Sequence, residues 1–234
     1  MTLGNTSVFP IRCRGLLFDM DGTLLDTTPI VERHWKVWCQ TYGVDHPSLI
    51  ATSHGRPTFE IIKLWLPPHL ERSDDQIRAL VAELEGNVTE DQDGLMVVPG
   101  ALGLLPTIPK DRWAVVTSAG RSMAVQRFKQ TGLMMPPVLV TAKEMTKGKP
   151  HPDGYLAAAK RLGLDPKECI VFEDATAGIR AGVASGAVAV IGMNTSTTPP
   201  EDLIQAGAMV VVKSFNDLQM TFLSDGWIEV SPRS

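Results

Sequence analysis

A chain of 234 residues with a net charge of −4, 44% hydrophobic and 21% charged residues, has the make-up of an ordinary globular protein. Its acidic balance argues against a nucleic-acid-binding surface, and no run of about 18 apolar residues offers a membrane-spanning helix. Cys13, Cys39 and Cys169 form no CxxC pair, so neither a zinc knuckle nor a disulfide framework is suggested; with no secretory profile over Met1 to Pro10, a soluble cytoplasmic protein is expected.

In chain order, the first expected strand is Gly15-Leu16-Leu17-Phe18, which stops abruptly at Asp19. From Thr27 to about Val97 no strand-like run occurs. Pro29–Thr41, Thr58–Leu66 and Asp74–Leu84 instead have helical spacing, with Ile30, Val31, Trp35, Val37 and Trp38 on a broad apolar face of the first. Gly94 and Pro99-Gly100 mark the end of this stretch.

Beyond it, strand runs recur at Trp113–Val116, Val138–Val140, Cys169–Phe172, Val188–Ile191 and Met209–Val212. They stop at Thr117-Ser118, Thr141, Glu173-Asp174, Gly192 and Lys213. Helical stretches over Ser122–Gln130, Pro152–Leu162 and Ala177–Ala184 separate several of them. Gly132 and Gly163 stand at expected C-caps, and Pro152 at a first helical position.

Short, continuous, Val- and Ile-rich runs suit strands buried on both faces, and their alternation with helices implies a parallel α/β sheet. The expected architecture is a Rossmann-like core over residues 1–26 and 98–234, with an inserted, mainly helical cap over 27–97. Ligands of such sheets bind beyond the carboxyl ends of the strands, where the polar residues above would gather.

The segment Asp19-Met20-Asp21-Gly22-Thr23 follows the first strand directly. With residue usage of roughly 5–7% per type, DxDGT arises by chance in only a few per thousand chains of this size. Two carboxylates at i and i+2 beside a tight glycine turn are placed to cooperate. One can attack phosphorus, while the other protonates the departing alkoxide and then activates water. A calcium-binding loop or a plain acidic turn is the alternative reading of this segment alone.

DxDGT after an apolar strand resembles motif I of the haloacid dehalogenase superfamily, in its phosphatase branch. Thr117-Ser118 resembles motif II, Lys149 within Gly148-Lys149-Pro150-His151-Pro152-Asp153 motif III, and Glu173-Asp174 motif IV. Singly, each has a plainer reading: Thr117 and Ser118 as helix caps, Lys149 as a surface charge, Glu173-Asp174 as an acidic helix start. Their joint order carries the resemblance.

The resemblance implies a role for each matching position. Asp19 would be the nucleophile and Asp21 the general acid and base. Thr117, Ser118, Lys149 and the Met20 amide would bind phosphate, Lys149 also orienting Asp19. Mg²⁺ would be held by Asp19, the Asp21 carbonyl and Asp174. Glu173 would bind metal, order the loop or orient Lys149. The charges of Lys149 and the cation should keep Asp19 ionised, while a shielded Asp21 holds a proton.

In this family the cap selects the leaving group, and the expected specificity loop is Thr52-Ser53-His54-Gly55-Arg56-Pro57. His54, Gly55, Arg56 and Glu32 are the candidate substrate contacts, while Trp38 faces either the cleft or the packing between cap and core. Asp26-Thr27-Thr28-Pro29, Ser53–Arg56 and residues 148–153 are similar to sugar and polyol phosphatases, namely those for 2-deoxyglucose 6-phosphate, glycerol phosphate and hexitol phosphates. That likeness implies a small phosphorylated sugar or polyol as substrate, Mg²⁺ as cofactor, no nucleic-acid or membrane partner, and a monomer or weak dimer.

Three other readings compete. A β-phosphoglucomutase-like mutase shares the core motifs, but those enzymes carry a histidine five residues after the aspartate matching Asp26, where this chain has Val31; His34 lies nearby. A dehalogenase would lack Asp21. A receiver-like phosphoacceptor would signal without turnover, and such modules are shorter.

Overall fold

The structure of the protein, a computed structural model, describes residues 3–4, 9–53 and 56–233. Its strands are β1 (Leu3–Gly4), β2 (Ile11–Cys13), β3 (Gly15–Phe18), β4 (Leu25–Asp26), β5 (Met96–Val97) and β6 (Trp113–Val116), followed by β7 (Leu139–Val140), β8 (Cys169–Glu173), β9 (Ala189–Met193), β10 (Val210–Val212), β11 (Leu218–Phe222) and β12 (Ile228–Pro232). The helices are α1 (Thr28–Tyr42), α2 (His46–Ser53), α3 (Thr58–Trp65), α4 (Asp74–Glu90) and α5 (Ala101–Leu104), then α6 (Arg121–Thr131), α7 (Asp153–Leu162), α8 (Thr176–Ala184) and α9 (Pro200–Ala206).

The central sheet has the order β1-β10-β9-β8-β3-β6-β7, parallel throughout except for β1 at one edge. The expected α/β, Rossmann-like core is present. Alternating residues of each strand enter two different cores, as the two-residue period of a strand requires. Leu16, Phe18, Trp113, Val115 and Phe172 pack on one face with α5, α6 and the β11–β12 hairpin. Leu17, Ala114, Val116 and Val171 pack on the other with α7, α8 and α9. Burial on both sides is why these strands are apolar without interruption.

Helices α1 to α4 lie between β4 and β5, which pair antiparallel as Leu25↔Val97 and Asp26↔Met96. They enclose their own apolar cluster, centred on Ile30, Trp35, Trp38, Leu49, Ile62 and Ile77. Trp38 belongs to this cluster, edge-on to Trp35 at 5.5 Å between ring centroids, and does not line the cleft described below.

Several local expectations need correction. Val37, assigned to the apolar face of α1, is exposed, because two residues at about 100° each carry it away from Trp35. Thr52 and Ser53, expected in a loop, close the last turn of α2, where each hydroxyl donates to a backbone carbonyl. Pro152 is the N-cap of α7 instead of its first residue, its carbonyl accepting from the Leu156 amide at 3.0 Å. α4 continues six residues past Leu84, to Glu90. Gly132 and Gly163 are left-handed C-caps, as read. Among the described residues, no helix is long and apolar enough to cross a membrane.

Candidate active site

The carboxyl ends of β8, β3 and β6, neighbours in the sheet, converge on one cleft. Phe18 and Phe172 are in register, so the next residues, Asp19 and Glu173, emerge side by side, and the Asp19 amide donates to the Phe172 carbonyl at 3.0 Å. β6 ends at Val116 and delivers Thr117 beside them. Gly22 has a φ of +87°, and a Cβ there would stand 2.1 Å from an Asp174 carboxylate oxygen. Only glycine lets the DxDGT turn lie against Asp174.

Lys149 is buried and donates to Asp19 Oδ1; its ammonium also pairs with Glu173 Oε1 at 2.5 Å. Glu173 is satisfied by the protein itself. Its Oε1 accepts from Tyr155 Oη at 2.8 Å, and its Oε2 from the amides of Asp174 and Ala175 at 3.1 and 3.3 Å. A Cβ on Gly178 would sit 1.8 Å from Glu173 Oε1, so the first turn of α8 makes room for that carboxylate. Asp174, by contrast, turns its carboxylate toward Gly22 and the cleft.

Asp21 accepts from Thr27 Oγ1 at 3.0 Å and from Thr117 Oγ1 at 3.4 Å. Thr27 is the N-cap residue of α1, yet its hydroxyl caps no helix amide; it is turned to Asp21 instead. Thr117 likewise is no helix cap, since α6 begins at Arg121 behind Gly120. Its oxygen accepts from the Ala119 amide at 3.0 Å.

The electrostatics follow from burial. Removal from water pushes the Asp19 carboxyl well above the ordinary carboxylate range, against the Lys149 ammonium that draws it down. Burial also raises Asp21, offset in part by the Thr27 hydroxyl. Burial and the charge of Glu173 push Asp174 up to about 8. Burial opposes the charge on Lys149, but Asp19 and Glu173 overcome it and hold the ammonium above its usual value. At Asp19, burial and the neighbouring acids thus work against the Lys149 ammonium, and a further positive charge beside these carboxylates would favour their ionised forms.

The donor set fits such a charge. Asp19, Glu173 and Asp174 offer carboxylate oxygens within 4.8 Å of one another, and all three are buried. An all-oxygen, anionic set suits a hard divalent cation of the Mg²⁺ or Ca²⁺ kind.

The cleft continues into a cavity of about 160 Å³ roofed by α1 to α4, room for a small metabolite and not for a macromolecule. Asp19, Asp21, Thr117, Ser118, Glu173 and Asp174 form its floor. Glu32 and Ser53 face it from the helices and Arg56 from the bend before α3, with Val31 and Trp35 beside them. Met20 is buried beneath the turn, and Lys149 reaches Asp19 from behind. His54 and Gly55 lie outside the described residues. His34 does not line the cavity; its Nε2 is 2.9 Å from Asp91 Oδ2. Asp153 begins α7, where Oδ2 accepts from the Lys147 amide at 3.0 Å.

Tyr155 and Glu85 contribute to the site without having been singled out in the sequence, and Thr27 was read only as part of the segment Asp26-Thr27-Thr28-Pro29, with no role of its own. Thr27 carried a signal, a hydroxyl N-cap directly before a proline-started helix. Tyr155 and Glu85 carried none, since each lies in an ordinary amphipathic helix far from the motif it meets.

The model of the haloacid dehalogenase-like hydrolase family matches residues 13–186. The chain is 39% identical over 192 residues to hexitol phosphatase A of Escherichia coli, covering 81% of this chain and 87% of that protein. It is 33% identical over 230 residues to glycerol-1-phosphate phosphohydrolase 2 of Saccharomyces cerevisiae, covering 92% and 88%. A β-phosphoglucomutase structure from Clostridium difficile superposes with a TM-score of 0.74 at 23% identity, over 88% of this chain and 93% of that one, a likeness of fold alone. With a family match over most of its length and the strand-end acids where that fold presents them, the chain belongs to the haloacid dehalogenase-like hydrolases.

Proposed function

We propose that the protein is a Mg²⁺-dependent phosphomonoester hydrolase for small phosphorylated sugars or polyols, working through an aspartyl-phosphate at Asp19. The observation that carries this reading is the meeting of Asp19, Asp21, Thr117, Lys149 and Asp174 at one cleft, although they are up to 155 positions apart in sequence (174 − 19). The similarity to hexitol and glycerol phosphate phosphatases supports the substrate class.

Asp19 attacks phosphorus with a carboxylate oxygen, and the bond from phosphorus to the alcohol oxygen breaks. Asp21, raised by burial and steadied by Thr27, gives its proton to that departing oxygen. As a carboxylate it then takes a proton from water, whose oxygen attacks the same phosphorus, releasing phosphate and restoring Asp19. Thr117, with the amides of Met20 and Ser118, donates hydrogen bonds to the phosphoryl oxygens. Lys149 neutralises charge beside the nucleophile, and Glu173, bonded to Lys149 and Tyr155, holds that lysine in place.

Asp19, the Asp21 carbonyl and Asp174 would hold the Mg²⁺. Bound there, the cation supplies the positive charge that a carboxylate needs to approach a phosphate dianion. Residues 27–97 act as the cap, with Arg56, Glu32 and the segment holding His54 and Gly55 meeting the leaving group. The side chain facing the cavity five residues after Asp26 is Val31, which has no proton to exchange, and His34 is engaged by Asp91. Both facts favour hydrolysis over mutase chemistry.

The test is phosphate release from hexitol, glycerol and 2-deoxyglucose phosphates, with and without Mg²⁺. Metal-dependent release without a bisphosphate activator, absent in Asp19→Asn, is expected. A requirement for the activator would favour the mutase, a long-lived acyl phosphate without turnover would favour a phosphoacceptor, and an undiminished rate in Asp19→Asn would overturn the nucleophile.

A further inference from the structure

One cavity residue has no part in the chemistry at the strand ends. Glu85, on α4, lines the cavity among Leu84, Val88 and Ile61, and is half-buried there. Thr58, at the start of α3, lines the same cavity. Glu85 Oε2 comes within 3.4 Å of the point where a Cβ on Gly120 would stand, so the side chain reaches from α4 to the loop after β6. Burial raises its carboxyl, the nearby Thr58 hydroxyl lowers it, the charge of Asp21 raises it and that of Lys143 lowers it. Glu85 thus reaches from α4 toward the loop after β6, in a largely apolar patch of the cavity wall.

A carboxylate in such a place accepts hydrogen bonds and donates none, and water competes for it poorly. Glu32 adds a second carboxylate, while among the described lining residues the one cation is Arg56. We propose that Glu85 is a specificity-determining residue that accepts a hydroxyl hydrogen of a neutral polyol leaving group and repels leaving groups carrying a second anion. A hydroxyl left facing Glu85 without its acceptor loses a charge-assisted bond, and a carboxylate or second phosphate there meets like charge across little solvent. The inference deepens the phosphatase reading above and rests on it.

A matched pair of probes tests it. Glucitol 6-phosphate and 6-phosphogluconate differ at one end, a hydroxymethyl in the first and a carboxylate in the second. Wild type should favour the alcohol in kcat/KM. Glu85→Gln, nearly isosteric, should narrow that preference about ten-fold, the scale of one charge-assisted hydrogen bond. Glu85→Ala should raise KM for the alcohol while kcat/KM for p-nitrophenyl phosphate, which has no polyol, stays within about two-fold. A merely structural glutamate would depress all three substrates together or none. An unchanged alcohol-to-acid ratio in an active Glu85→Gln enzyme would overturn the role of Glu85 and leave the phosphatase reading standing. Failure of the wild type to hydrolyse any of the three would overturn both.

Discussion

Phe18 and Phe172 stack with ring centroids 4.9 Å apart and planes within 16°, directly beneath Asp19 and Glu173. Phe215 meets both rings at 5.7 Å. The apolar stack fixes the register of two strands whose next residues carry the acids. Truncation in Phe172→Ala should cost about 3–5 kcal/mol by urea unfolding. Activity should fall by more than the folded fraction accounts for, because the Asp19–Glu173 alignment loosens; a loss matching the unfolded fraction alone would contradict this.

Mg²⁺ should raise the melting temperature of the wild type, since the buried acids are under-neutralised by Lys149 alone. Asp174→Asn should abolish that shift. Glu173→Gln should keep most of it, because Lys149, Tyr155 and two amides already occupy the Glu173 oxygens. The opposite pattern in calorimetry would exchange the two roles.

Arg127, fully buried on α6, donates to the Val88 carbonyl and, at 2.8 Å, to the Asp91 carbonyl at the end of α4; Gln130 Nε2 donates to Thr89 at 3.0 Å. These bonds satisfy the orphan carbonyls of α4 and tie it to the core. Arg127→Met should destabilise the protein by about 3 kcal/mol, from bonds made by a charged donor. Hydrogen exchange should quicken first in the last turn of α4.

Asp91 is held at about 2 by Arg33, by the Asp93 amide and by His34. Its folded value lies below the unfolded 3.8, so the native state binds fewer protons and the contribution to stability is fully present above about pH 4. It is lost as pH falls from about 4 towards 2. The wild type should exceed Asp91→Asn in urea midpoint at neutral pH, and the gap should close within that window. A gap constant down to pH 2 would contradict the assignment.

How much of this the sequence discloses depends on what each residue must satisfy. β3, β6 and β8 are legible because burial on both faces leaves an uninterrupted apolar run that stops at the polar site. β11 and β12 are not, since each is partly exposed and mixes Gln219, Thr221, Glu229 and Ser231 into its strand. The floor of the cleft is local to four motifs; its roof is not. Glu85 escaped because the apolar pattern of α4 thins after Leu84 and Gly86 weakens the helix. The last turns persist through carbonyls held by Arg127 and Gln130, a tertiary support with no trace in the helix's own residues.

The β4–β5 ribbon has a wider consequence. The polypeptide departs from the sheet and returns to it at two paired residues on each side, so whatever is spliced between Asp26 and Met96 leaves the strand register beneath untouched. A relative's helices grafted onto this ribbon, with Thr27 kept beside Asp21 and the Arg127 partners of α4 retained, would show whether leaving-group preference travels with the insert.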